Sequence, residues 1–131
     1  MKQRWLDRRI ARPGPYMVLC FSDAEFRASI AHLKAPSIPA WMNAGADAMT
    51  HFFEHERRGT VAVICLGAGW CKRKSIEVAG LLVHEAVHVW QQYCVDIGES
   101  RPGDEQEAYA IQSIAQELMS EFVRRMDRGT Q

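Results

Sequence analysis

His84-Glu85-Ala86-Val87-His88 spells HExxH. On an α-helix, residues four apart lie one turn apart on one face, so the imidazoles of His84 and His88 can reach the same metal ion. Glu85 falls beside them, placed to take a proton from a water made acidic by the ion without being a ligand itself. An ion held this way also polarises a carbonyl, so the pattern points to zinc-assisted hydrolysis. The flanks suit a buried site helix: Val78–Val83 (VAGLLV) before the motif and Val89-Trp90 after it carry no charge. The competing reading is an amphipathic helix whose histidines bond to backbone or carboxylate partners. Against it, two histidines and a glutamate on an apolar helix cost burial energy unless something pairs them.

Catalytic zinc takes three protein ligands and leaves a fourth position for water. Glu105 and Glu107 open the last helical segment, which can fold back antiparallel on the HExxH helix and bring its first turns to the metal. At roughly 100° per residue, Glu107 shares a face with Ile111, Ile114 and Leu118, while Glu105 aligns with Tyr109, Gln112 and Gln116 along one edge of that face. Glu107 is therefore the preferred third ligand and Glu105 the alternative. In the absence of a metal role, Glu107 reads as a capping-box partner of Asp104, and Glu105 as a favourable charge at the helix N-terminus. His32, beside Leu33 and Lys34, reads as a surface residue.

A second motif, His51-Phe-Phe-Glu54-His55, spells the inverted form HxxEH, which works only on a helix. In a strand, His51 and His55 point to one sheet face but stand roughly 13 Å apart, too far to share an ion. They are expected to face solvent or the rim of the cleft.

The elements that must position these residues are readable from punctuation and periodicity. Pro13-Gly14-Pro15 sets off Tyr16–Phe21 (YMVLCF), a run of strand length. Ser22-Asp-Ala-Glu25 has capping-box spelling, and Phe26, Ile30 and Leu33 follow at helical spacing, which predicts a helix over Asp23–Lys34. Pro36 and Pro39 end it, and 43–47 reads as loop. Ala48–Glu56 and Thr60–Leu66, joined by Arg57-Arg58-Gly59, predict a β-hairpin closed by Gly67 and Gly69. Ser75 opens a helix over Ile76–Val95 that stops at Gly98 and Pro102-Gly103. Ala108, Ile111, Ala115, Leu118 and Phe122 keep a period of three to four through 104–126. The order β, α, β-hairpin, α, α describes an α+β domain. Its small antiparallel or mixed sheet packs against the HExxH helix and the long helix after it.

With 131 residues, the chain has the size of one domain, 1–131, which begins with a basic segment over 1–14 that is expected to be extended. Lys plus Arg and Asp plus Glu both number 16, so the net charge of 0 argues against nucleic acid or anionic lipid as the main partner. No apolar run approaches the roughly 18 residues of a membrane span. No apolar stretch follows the basic N-terminus, so no secretory signal is expected and the expected compartment is the cytoplasm. Cys20, Cys65, Cys71 and Cys94 form no CxxC pair, which removes the zinc-ribbon and thioredoxin-like readings and leaves four thiols expected to be reduced. The expected partner is a peptide or protein substrate, with no nucleic acid and no membrane.

Taken together, HExxH and a downstream glutamate resemble the gluzincins, a group of zinc metallopeptidases. Eighteen residues separate His88 from Glu107, similar to the aminopeptidase N-like spacing, and Gln106-Glu107-Ala108-Tyr109-Ala110 is similar to that group's Asn-Glu-Gly/Ala-Phe-Ala. Glu105-Gln-Glu-Ala108-Tyr109 is similar to the Glu-x-x-Ala-Asp of other membrane and regulatory zinc peptidases, with Tyr109 where Asp is usual. The ligand is thus open between Glu107 and Glu105. The wording HEAVHVWQQ followed by EAYAIQSIAQEL resembles small HExxH proteins of phage and prophage genomes, over roughly Ala48 to Phe122.

The resemblance implies a minimal zincin-like domain that binds Zn2+ and hydrolyses peptide bonds with Glu85 as general base. Tyr109 is a further candidate, as a phenol able to donate to developing negative charge. A sheet-edge strand beside the site helix is implied to hold the peptide by backbone pairing, with Thr60–Leu66 in that place. No counterpart of the motif that grips a free amine is present, so exopeptidase activity is not implied. Two other readings use the same residues: a non-catalytic zincin scaffold that binds or regulates a partner, and a zinc protease effector with one protein target.

Overall fold

The computed structural model describes residues 14–57 and 59–129, so all but Gly14 of the basic N-terminal segment lies outside the described residues. The elements run β1 (Tyr16–Cys20), α1 (Asp23–His32), β2 (Ala48–His55), β3 (Gly59–Leu66), α2 (Ser75–Ile97) and α3 (Asp104–Gly129). The expected order is therefore present, and Gly67 and Gly69, read as closing the hairpin, also lie at the start of a short 3-10 turn over Ala68–Lys72. Gly67 is needed there. Its N–H donates to the Asp47 carbonyl at 2.8 Å, and a Cβ would come within 2.9 Å of that same oxygen.

Local chemistry explains the helix ends. Ser22 caps α1 by accepting the Glu25 N–H at 3.2 Å, a contact worth about 1 kcal/mol. Gly98, at φ 74°, ends α2 in the left-handed conformation. The turn is closed by Glu99 N–H to the Cys94 carbonyl at 2.8 Å and Gly98 N–H to the Val95 carbonyl at 3.1 Å.

The sheet is mixed, in the order β1-β3-β2. β1 runs parallel to β3, with Tyr16 opposite Val61 and Cys20 opposite Cys65. β2 runs antiparallel to β3, with Ala48 opposite Leu66 and His55 opposite Gly59. This corrects one expectation: the Thr60–Leu66 strand is the central one, not an edge. Both of its sides are already paired, so its backbone cannot take a peptide. The unbroken apolar run Val61–Leu66 suits a strand buried on both faces.

Alternation along the strands sorts the core into two layers. Leu19, Ala62, Ile64 and Leu66 pack against Val78, Leu82, Ala86 and Val89 of α2 and against Ile114 and Leu118 of α3. Cys20, Val63 and Cys65 point the other way, onto Phe26 and Ile30 of α1. The fold is thus α+β, with α1 on one face of a three-stranded sheet and α2 and α3 on the other. Arg125 of α3 links the two sides by a paired contact to the Glu25 carboxylate at 2.8 and 2.7 Å, lying 4.3 Å over the Phe21 ring. Among the described residues no helix is long and apolar enough to cross a membrane.

Candidate metal centre

α2 turns Val78, Leu82, Ala86 and Val89 into the core and leaves His84 and His88 exposed on the opposite side. Of the apolar flanks, Val78, Leu82, Val89 and Trp90 are buried, while Val83 directly before the motif is exposed, and the imidazoles themselves face outward. Their Nε2 atoms are 3.2 Å apart. Two imidazole nitrogens bound at 2.0–2.1 Å to a tetrahedral zinc stand roughly 3.3 Å apart, so the pair has the separation that one shared ion requires. The other nitrogen of His88, Nδ1, lies 3.3 Å from Oε1 of Gln91.

Glu85 is turned inward and is 5% exposed. A buried carboxylate needs a donor. It has one in Thr50, whose Oγ1–H donates to Glu85 Oε2 at 2.6 Å. Thr50 shares the α2-facing side of β2 with Ala48 and Phe52, so the strand delivers its hydroxyl to the helix. Sequence reasoning did not single out Thr50. Alternation within β2 could have placed it on a face, but which turn of α2 it meets is a tertiary fact.

The third ligand is where the arrangement departs from expectation. Glu107 Oε2 accepts the indole N–H of Trp90 at 2.8 Å. Trp90 is two residues past His88, roughly 160° around the helix from it. The Cys94 thiol, one turn beyond Trp90, is pushed above its ordinary pKa by burial first and then by the Glu107 charge. Glu107 therefore bonds to α2 on a different flank from the imidazoles, and it is itself exposed, not turned into the core as its wheel position predicted. Glu105 is exposed on α3, and Tyr109 is 65% exposed there. Among the described residues, no three His, Cys, Asp or Glu side chains are grouped so as to hold a metal. The structure brings together His84 and His88 and sets Glu85 on the same helix; it does not bring Glu107 or Glu105 to them.

The inverted motif lies in β2, as expected for a strand. His51, however, is buried and not turned to solvent. Its Nε2 bonds to the Trp41 carbonyl at 3.0 Å and its ring lies 4.6 Å from that of Phe26. That is the α1 side of the sheet, opposite Thr50 and Glu85. His55 Nδ1 accepts the Arg57 N–H at 3.2 Å.

Compared with models of known protein families, with curated proteins and with solved structures, the chain matches none.

Proposed function

We propose that the protein is a zinc-dependent hydrolase of peptide bonds, a minimal zincin-like metallopeptidase acting on a peptide or protein. The observation that carries this reading is the 3.2 Å separation of the His84 and His88 Nε2 atoms on a helix that also holds Glu85. Zinc, when bound, supplies a water acidified toward neutrality and polarisation of the scissile carbonyl. Glu85 is the general base in this reading. Thr50 donates to its Oε2, and the inward-turned carboxylate would have to reach the imidazole side of α2 to take a proton from water and pass it to the leaving amine. β2, the outer strand that carries Thr50, takes over from Thr60–Leu66 as the proposed edge for backbone pairing with substrate.

Glu107 is the proposed third ligand and Glu105 its alternative. For Glu107, reaching the imidazoles requires leaving Trp90. Tyr109 is proposed as a donor to the developing oxyanion. Cys20, Cys65, Cys71 and Cys94 are free thiols, in keeping with the cytoplasm as the proposed compartment.

A non-catalytic reading, in which the scaffold binds or regulates a partner, is favoured by one observation: the Glu107 carboxylate is engaged by Trp90 and away from the histidine pair. Elemental analysis of protein purified without added metal, followed by Glu85→Gln, separates the two. The hydrolase reading expects close to one zinc per chain in both proteins and peptide cleavage only in the wild type. Less than about 0.2 zinc per chain with no gain on titration contradicts it. Full zinc with a partner retained equally by both proteins, and no peptide cut, supports the binding reading.

A further inference from the structure

We propose that the outer side of α3 is a docking surface for this chain's own basic segment over residues 1–13, with Trp5 seated in the groove between α3 and the first turns of α2. The proposal does not depend on the metal reading.

The surface is a continuous track of three grooves. The first, of about 540 Å³, opens between β1 and α3, with Pro15, Met17 and Leu19 on one side and Glu117, Ser120 and Arg124 on the other. Those last three residues also border a second groove, which continues over α3 to Met119 and Val123. Met119 and Val123 in turn border a third, of about 400 Å³, whose far wall is Ile76 and Ala79 of α2. The track therefore starts where residues 1–13, which lie outside the described residues, join β1. Reach is ample: thirteen residues span up to about 43 Å when extended, and an α-helix with its side chains is only about 10–12 Å across.

The far end of the track is apolar and open. Ile76 is 76% exposed and Val123 is 54% exposed, on neighbouring helices, with Phe122 and Met126 half-buried beside them. A contiguous apolar patch of this kind marks a place where more chain packs. Segment 1–13 supplies the matching side chains in Trp5, Leu6 and Ile10. Met119 and Met126 suit the indole in particular, because thioethers adapt their shape and make favourable contacts with aromatic rings.

Charge favours the same pairing. Lys2, Arg4, Arg8, Arg9 and Arg12 stand against Asp7 alone in the segment. The whole chain holds 16 basic and 16 acidic residues, so 14–131 keeps 11 basic and 15 acidic, and the two parts carry opposite net charges of four. Along the track, Glu121 is engaged by Arg124 at 2.8 and 2.5 Å. Glu117, one turn earlier and exposed, is the carboxylate placed to meet an arginine of the segment.

Limited trypsin digestion of the full chain, read by mass spectrometry, tests the docking, because Arg8 and Arg9 are cleavage sites within the segment. Trp5→Ala removes the anchor, and Val123→Glu places a charge in the groove at an exposed position that the fold tolerates. Cleavage reports how often the segment is undocked, so the wild type should be cut at Arg8 and Arg9 at least about tenfold more slowly than either variant. Cleavage elsewhere in the chain should not change. Equal rates in all three proteins overturn the proposal. Protection lost in Trp5→Ala but kept in Val123→Glu overturns the assigned groove. Protection that disappears on dilution, with a solution mass of two chains, overturns docking within one chain and makes a second copy the partner.

Discussion

The indole N–H of Trp90 donates to the Glu107 carboxylate at 2.8 Å, tying α2 to the first turn of α3 through a side chain that is only 4% exposed. Removing the acceptor leaves a buried donor unsatisfied, which costs about 1–3 kcal/mol. Glu107→Ala should lower stability to urea by that amount, and Glu107→Gln, whose amide oxygen can still accept, should lose well under half of it. In its proposed role as third ligand, Glu107 would have to give up this bond. Zinc should then shift the Trp90 indole N–H resonance, and Glu107→Gln should weaken zinc binding at least about tenfold. Unchanged zinc affinity in Glu107→Gln with a loss in Glu105→Ala transfers the ligand role to Glu105.

Thr50 and Glu85 make the corresponding bond between β2 and α2. Thr50→Val keeps the shape of the side chain and removes the only donor found on Glu85 Oε2 among the described residues. An unsatisfied buried carboxylate is more costly than a neutral group, so a loss of about 2–3 kcal/mol is expected by urea unfolding. Thr50→Ser should recover most of it. Equal stability in the valine variant would mean that the hydroxyl is not what holds Glu85.

Much of this frame was legible because its signals are local. The Ser22 cap, the pairing of His55 with Gly59 at the hairpin end and the left-handed Gly98 each act within a few residues, and each bounds the element it was expected to bound. The wheel of α3 put Glu107 on its inward side, yet the residue is exposed and only its carboxylate reaches α2. A wheel for one helix, however, cannot say which flank of its neighbour that side meets, and the answer is Trp90 and not the imidazoles. The central position of β3 depends on β1 pairing with it across α1 and β2. Its unbroken apolar run was the available sign of two buried faces. His51 turned inward because alternation puts it opposite Thr50, and the Trp41 carbonyl then satisfies its ring.

The thiols should divide by burial more than by acidity. A hydrogen bond with Cys65 is the largest cause lowering Cys20, to about 7, and the same contact pushes Cys65 up. Yet Cys20 and Cys65 are 1% and 0% exposed, and a thiolate must be reached to react. Cys71 is the exposed thiol. Alkylation of the native protein followed by mass spectrometry should label Cys71 first, with Cys20, Cys65 and Cys94 modified only on unfolding. Rapid native labelling of Cys20 would show that the α1 layer opens readily.

Calorimetric titration of zinc into the metal-free protein, run beside His84→Ala and His88→Ala, bears most directly on the central claim. The Nε2 atoms 3.2 Å apart should act as one site. The wild type should take up one ion per chain, and either single substitution should abolish that uptake or weaken it by at least about a hundredfold, because a lone imidazole cannot chelate. Wild-type binding that survives both substitutions, or no binding by the wild type at all, would contradict the account.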